Sequence, residues 1–390
     1  MSRRAFVIVI DACGVGALPD AAEYGDAATN TLGHLAEALG GLELPALGRL
    51  GLGSIVPLKG VPPADEPMAV HGRLHPLGPG KDSTTGHWEL MGVVPPEAPP
   101  TYPHGFPPDV VACVGCVTGR GVLCNRPYNG IAAIDDFGEE HLETGRLILY
   151  TSQDSVLQIA AHEAVVPVAE LHALCSRLRD ALPREHPVGR VIARPFTGRP
   201  GAFVRMEERK DFSLLPPRRS YLEELQEAGA PVHSVGKVAD LFAAAGIDWQ
   251  HPGATNAEAL ARVTALIEEL DHGLVFANLI ETDQVYGHRK DMRGFARALE
   301  DVDACVASWL DRLRPDDLLV LTADHGVDMA AAHTDHTREY APLLATAPGL
   351  RGSRHDGPLA DVGATVLQWL TGRDAPGLPG SAFLGAVPTP

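Results

Sequence analysis

The stretch "AFVIVID", residues 5–11, is six apolar residues closed by a carboxylate. Two later stretches repeat the design, "GLVFANLIETD" at 273–283 and "DLLVLTAD" at 317–324. Their apolar parts are short, largely β-branched or leucine-rich, and lack the polar alternation of a strand with one wet face. They therefore predict strands covered on both sides, as in a parallel sheet. Helical patterns lie between and after them, at 256–270, 292–313 and 361–370. Strand and helix in alternation predict an α/β domain, a parallel sheet with helices on both faces.

In such a sheet the ligand site lies beyond the carboxyl ends of the strands. Each of the three runs leads there to an aspartate: Asp11, Asp283 and Asp324. Histidines follow closely, as His288, His325 and His336. Adjacent strand residues point to opposite faces, so Asp324 and His325 reach one ion only once the chain has left the strand, which Gly326 makes easy. Three Asp and three His are the inventory for two divalent ions with open coordination positions. Without a cation the three carboxylates would repel one another. The competing reading is six unrelated capping and surface residues.

Proline crowds residues 93–108, "VVPPEAPPTYPHGFPP", and a second break follows at 212–221. Between them the chain carries its own strand-like runs at 147–152 and 189–196 and a helical pattern near 168–182. The expectation is a discontinuous metal-binding core, 1–97 with 216–390, and an inserted smaller α/β domain over 98–215.

The whole chain has 390 residues, 45% of them hydrophobic, with 32 Lys and Arg against 50 Asp and Glu, a formal charge of −18. That surface argues against non-specific binding to nucleic acid or anionic membranes. Six cysteines, at 13, 113, 116, 124, 175 and 305, show no disulfide-scaffold spacing, which suits a reducing, cytoplasmic setting. The opening "MSRRAFVIVID" has an apolar run too short for a signal peptide. No run approaches the ~18 apolar residues of a membrane span.

"KDSTTGHWEL", residues 81–90, sets three hydroxyls, Ser83, Thr84 and Thr85, at a helix start. Capping would use one of them. A hydroxyl beside two divalent ions would instead serve as the nucleophile of an in-line phosphoryl transfer, and the free N–H groups of a helix start would favour the phosphoryl group.

Together with "YTSQDSVLQIAAHE", "YGHRKD", "TADHGVD" and "DHTREYAPLL", this segment resembles the bacterial phosphopentomutases of the alkaline phosphatase superfamily. The likeness runs from "DACGVGALPDA" to "DVGATVLQWL". "TADHG" is widely shared across that superfamily; "KDSTTGHWE" with "YTSQDSVLQIA" is far more specific. The resemblance implies an alkaline-phosphatase-like core with an inserted cap, and an isomerase that interconverts ribose or 2-deoxyribose 1-phosphate with the 5-phosphate through a phosphothreonine. It implies Thr85 as that threonine, one ion held by Asp11, Asp324 and His325, and another by Asp283, His288 and His336. Manganese is the implied metal, two ions per chain, with other divalent metals as alternatives. Glucose 1,6-bisphosphate or a pentose bisphosphate is the implied activator. A cap would exclude water from the phosphoenzyme. Arg190, Arg194, Arg205 and Lys237 are candidates for gripping the distal phosphate, and Ser152 and Asp154 for the sugar hydroxyls. The partner is then a small pentose phosphate, with neither nucleic acid nor membrane.

The rival readings are a phosphohydrolase on the same metals, which needs water at the phosphothreonine, and a metal-binding protein without turnover. Cys13 sits in the metal loop and reads as a packed small residue. Cys113 and Cys116, with Cys124 and His104 nearby, have the spacing of half a zinc site without a clear second pair. Trp88 reads as core, His87 is left between packing and a supporting role, and His333 competes with His336 as the sixth ligand.

Overall fold

The structure, a computed structural model, describes residues 3–152, 155–347, 350 and 352–384. The chain forms two compact units, Met1–Glu97 with Pro216–Pro390, and Ala98–Leu215.

The first unit is built on a sheet of eight strands. In chain order they are β1 (Arg4–Ile10) and β2 (Val70–His75), then, after the second unit, β9 (Val232–Val235), β10 (Trp249–His251), β11 (Gly273–Leu279), β12 (Asp317–Thr322), β13 (Ala341–Thr346) and β14 (Gly357–Pro358). Across the sheet the order is β10-β9-β11-β1-β12-β13-β2-β14. The three runs that predicted the fold are β1, β11 and β12, and they are neighbours, parallel and in register; Val9 faces Asn278 on one side and Thr322 on the other. All three are buried along their whole length.

The sheet departs from the all-parallel expectation at β13, which runs antiparallel to both β12 and β2. The reason is the connection. No helix crosses over between β12 and β13; residues 323–340 form a loop that turns the chain straight back, and a direct return gives an antiparallel neighbour.

Register at the amino end of β1 is held by charge. Arg4 and Asp317 pair across β1 and β12, and the buried guanidinium donates to both Asp317 carboxylate oxygens, at 2.7 and 2.5 Å. It also donates to the carbonyls of Ile267 and Leu270, at 2.5 and 3.0 Å, satisfying carbonyls at the end of helix Asn256–Glu269 that have no partner within the helix.

The second unit contains β3 (Val122–Pro127), β4 (Leu147–Thr151), β5 (Val156–His162), β6 (Arg190–Arg199), β7 (Ala202–Arg205) and β8 (Lys210–Ser213). Their order is β3-β4-β5-β6-β7, with β8 also pairing β6. One apolar cluster joins this sheet to helices Pro108–Thr118 and Val168–Ala181, and another, including Tyr150 and Phe196, to helix Gly130–Thr144.

Candidate functional site

Asp11 is the first residue after β1, and its amide bonds to Leu279 O at 3.2 Å. The next residue, Ala12, takes a left-handed φ of 62°, a conformation that costs a side-chain-bearing residue energy. There its amide donates to Asp324 Oδ1 at 3.1 Å. The strained turn thus ties the ligand loop of β1 to that of β12.

Asp283 lies in a single π-helical turn, Thr282–Tyr286, followed by a 3-10 turn, Gly287–Arg289, that carries His288. His288 Nδ1 is 2.6 Å from Thr334 O. A carbonyl only accepts, so Nδ1 carries the proton and Nε2 faces Asp283 Oδ1 at 3.4 Å. His325 is held in the same way, with Nδ1 3.0 Å from Gly326 O. Its Nε2 is 3.4 Å from both Asp11 Oδ1 and Asp324 Oδ2. His336 Nε2 approaches Asp283 Oδ1 at 3.3 Å.

Two groups of ligand atoms result, each within 4.8 Å of one another: Asp11, Asp324 and His325, and Asp283, His325 and His336. His325 therefore reaches both groups, while His288 joins through Asp283. His333 is elsewhere, with Nε2 3.1 Å from Asp26 Oδ1. Asp283 Oδ1 and Asp324 Oδ2 are buried, and what approaches them is imidazole nitrogen at 3.1–3.4 Å, a crowding of buried carboxylates that a cation would relieve. The donor set suits divalent metals.

The charges fit this reading. Burial alone would lower the His325 imidazole, but the carboxylates of Asp324, Asp11 and Asp283 override it and raise it well above its ordinary value. Burial would raise Asp324 and Asp283, and the histidines override it, with His325 and His87 holding Asp324 down, and His336 and His288 holding Asp283 down. The rise reflects carboxylate charge that a cation at this place would offset.

The hydroxyl cluster opens helix Ser83–Leu90, but none of its hydroxyls is the cap. Asp82 is, its Oδ1 accepting from the amides of Thr84 and Thr85 at 2.9 and 3.1 Å. Those amides are therefore not available to a phosphoryl group as the sequence suggested. Thr85 is buried; its Oγ1 donates to Asp82 Oδ2 at 2.8 Å and accepts from the Asp82 amide at 3.4 Å, the latter completing a capping box. The hydroxyl that reaches the ligand groups is Ser83, with Oγ 3.1 Å from His325 Nε2 and 3.4 Å from Asp11 Oδ1. Trp88 is core, its indole N–H bonded to Leu241 O at 2.8 Å.

The loop leading to this helix is pinned residue by residue, by side chains the sequence did not mark. Glu89 accepts from the amides of Leu77 and Gly78, the latter at 3.0 Å, and burial pushes its carboxyl above the ordinary value against those donors. Tyr24 holds Pro79 O at 3.0 Å and Arg338 holds Gly80 O at 2.6 Å. Buried Asp26 accepts from Lys81 Nζ and the Arg338 amide, both at 2.9 Å. Arg338 is two residues from His336, so one segment carries a candidate ligand and braces the loop before helix Ser83–Leu90. A Cβ at Gly80 would lie 2.2 Å from Thr85 Oγ1, so only glycine fits there.

In the second unit, Arg190 and Arg194 share one face of β6, two positions either side of Ile192. Arg190 pairs with Asp211 at 3.4 Å, and Arg194 Nε donates to Gln158 Oε1 at 3.1 Å. Burial, with Arg209 and Arg205 nearby, pushes Arg194 down to about 10. Tyr150 Oη is buried without a hydrogen-bond partner. It and Arg205 Nη2 converge over Gly130, where a Cβ would meet them at 2.6 and 2.3 Å. Ser152 directly follows β4; Asp154 lies outside the described residues; Lys237 precedes the short helix Val238–Leu241 of the first unit. Cys113 donates to Ala181 O, and neither it, Cys116 nor Cys124 joins a metal-binding group among the described residues. Cys13 is buried, and burial pushes its thiol far up, out of the reactive range. No helix among the described residues is long and apolar enough to cross a membrane.

The model of the Metalloenzyme superfamily matches residues 3–372. A phosphopentomutase of Anaeromyxobacter sp. (strain K) is 50% identical, over 99% of this chain and 100% of its own. Another, of Caldanaerobacter subterraneus subsp. tengcongensis, is 46% identical over 94% of each. Among solved structures, a phosphoglycerate mutase of Leishmania mexicana, studied at low cobalt concentration, shares the fold at a TM-score of 0.51 and 13% identity, over 98% of this chain and 97% of its own. Protein PH0037 of Pyrococcus horikoshii does so at 0.50 and 15%, over 96% and 98%. With half its residues identical to such relatives along nearly its full length, the chain belongs to the phosphopentomutase family of the metalloenzyme superfamily.

Proposed function

We propose that this enzyme is an isomerase that moves a phosphoryl group between O1 and O5 of ribose or 2-deoxyribose, by way of a phosphoserine on Ser83. The observation that carries the nucleophile is the placement of Ser83 Oγ, 3.1 Å from His325 Nε2 and 3.4 Å from Asp11 Oδ1 at the first turn of its helix. Thr85, the threonine implied by resemblance, has its hydroxyl committed to Asp82.

Asp11, Asp324 and His325 would hold one divalent ion, and Asp283, His288 and His336 a second, manganese being the metal the family favours. Bound there, the ions would ease loss of the hydroxyl proton and offset charge on the phosphoryl oxygens. The chain's own part is positional. The pinned loop 77–82 fixes Ser83 against the ligands, and the helix dipole favours negative charge at that end. Arg190, Arg194 and Arg205, with Tyr150 Oη and Lys237, would bind the phosphate not being transferred, arginine being suited to bidentate contact. Ser152 and Asp154 would address sugar hydroxyls. A sugar bisphosphate, glucose 1,6-bisphosphate or a pentose bisphosphate, would start the cycle by giving one phosphoryl to Ser83 Oγ, the serine proton passing to the departing sugar oxygen. The substrate is a small phosphosugar.

The test is ribose 1-phosphate with manganese and a trace of bisphosphate, following ribose 5-phosphate and free phosphate together, with the phosphopeptide mapped by mass spectrometry. Ribose 5-phosphate with little free phosphate, and the label on Ser83, is expected. Free phosphate as the main product would make the enzyme a phosphohydrolase.

A further inference from the structure

We propose that His87 and Asn278 form a buried bridge that positions Asp11, Asp324 and Ser83 relative to one another, an inference that rests on the metal site proposed above. Asn278 is the one polar side chain inside the apolar run of β11, and it is fully buried. An amide there is costly unless each polar atom finds a partner. Its Oδ1 finds none, so the fold bears a penalty that a leucine would avoid. What the amide supplies is its nitrogen.

Asn278 Nδ2 is 2.9 Å from Asp11 Oδ2 and 3.1 Å from His87 Nε2. A carboxylate only accepts, so the nitrogen edge of the amide must face Asp11. The other N–H then meets His87 Nε2, which accepts it, and the imidazole proton sits on Nδ1. That proton points at Ser83 O, 2.8 Å away, with Asp324 Oδ2 at 3.1 Å. The chain of contacts runs from the end of β1, through β11 and the Ser83–Leu90 helix, to the end of β12. It leaves Asp11 Oδ1 facing Ser83 and His325, the side on which an ion would sit. His87 itself is fully buried, on the carbonyl side of Ser83. Both residues act through the ligands they orient, and partners of this kind are worth about 10–100-fold in metal affinity.

The test is calorimetric titration of manganese into the metal-free full-length chain, for wild type, Asn278→Leu, His87→Phe and His87→Asn, with thermal melts to check folding. His87→Asn keeps a donor near the Nδ1 position. Wild type is expected to bind two ions. Asn278→Leu and His87→Phe should weaken one of the two sites by about 10–100-fold and leave the other unchanged, and His87→Asn should recover most of the loss. Cobalt(II) absorption should show the change at one site only. If His87→Phe does not fold, Asn278→Leu, close in volume, carries the test. Two unaltered sites, or two equally weakened ones, would overturn the bridge alone. Wild type binding fewer than two ions would overturn the metal site and the bridge with it.

Discussion

Replacing Ser83 and Thr85 separately by alanine tests the central assignment, because the structure predicts opposite losses from two hydroxyls two residues apart. Thr85→Ala removes the Oγ1–Asp82 Oδ2 hydrogen bond of 2.8 Å and the weaker contact from the Asp82 amide at 3.4 Å. A buried hydrogen bond to a charged group is worth roughly 1.5–3 kcal/mol. At ~2 °C per kcal/mol for a unit of this size, the midpoint of melting should fall by ~3–6 °C. Ser83 stays on its ligands, so turnover at a temperature well below the transition should remain within about tenfold of wild type. Ser83→Ala removes no buried hydrogen bond of that strength and should melt within ~1–2 °C of wild type, but it deletes the proposed phosphoryl acceptor. Its mutase rate should drop by on the order of 10⁴-fold or more. The assay is the coupled conversion of ribose 1-phosphate, with melts on the same preparations. A folded Thr85→Ala protein without activity, beside an active Ser83→Ala, would refute the reasoning and return the nucleophile to Thr85.

Gly86→Ala would put a Cβ 2.5 Å from Asp324 O and 2.7 Å from Asp324 Cβ; it should cost ~1–3 kcal/mol and weaken manganese binding, read by denaturant titration and calorimetry, and normal values for both would refute the close approach. Arg4→Met strands buried Asp317 and should cost about 3–5 kcal/mol, while Arg4→Met with Asp317→Leu should regain part of that in urea unfolding. Burial, then the neighbouring His251, holds His233 down to about 4, so below pH ~6.5 the unfolded chain takes up a proton that the folded chain refuses. Stability should thus be full above that pH and decline as pH falls toward 4; His233→Gln should flatten that decline, and an unchanged profile would show that His233 is not its source.

The frame was legible because it rests on pattern. Apolar runs that lead on to Asp11, Asp283 and Asp324 declare buried strands and their carboxyl ends together, and the sheet order makes those ends adjacent. The direction of β13 was not legible, since "APLLAT" reads the same in either sense and only the loop before it decides. Nor could pattern choose among three consecutive hydroxyls. Successive helical residues are rotated by ~100°, so the choice depends on which residue caps the helix, and Asp82 rather than a hydroxyl does so. The supporting residues are scattered over 20–26, 77–89 and 338, and chain distance hides them. Asn278 did leave a trace, a lone amide in "GLVFANL", since a polar group inside an apolar strand demands a partner.

The loops bearing Asp283, Asp11 and Asp324 leave three consecutive strands, with β1 in the middle. Neighbouring strands lie ~4.8 Å apart because backbone hydrogen bonds have one length. The sheet is therefore a ruler whose graduation no side chain can alter, and the gap between the two proposed ions would inherit it to first order. A substitution among the proposed ligands would empty a site or change which metal it prefers, but it would not reset the interval between the strand ends that bear them. Altering that interval by design would mean inserting or removing a strand.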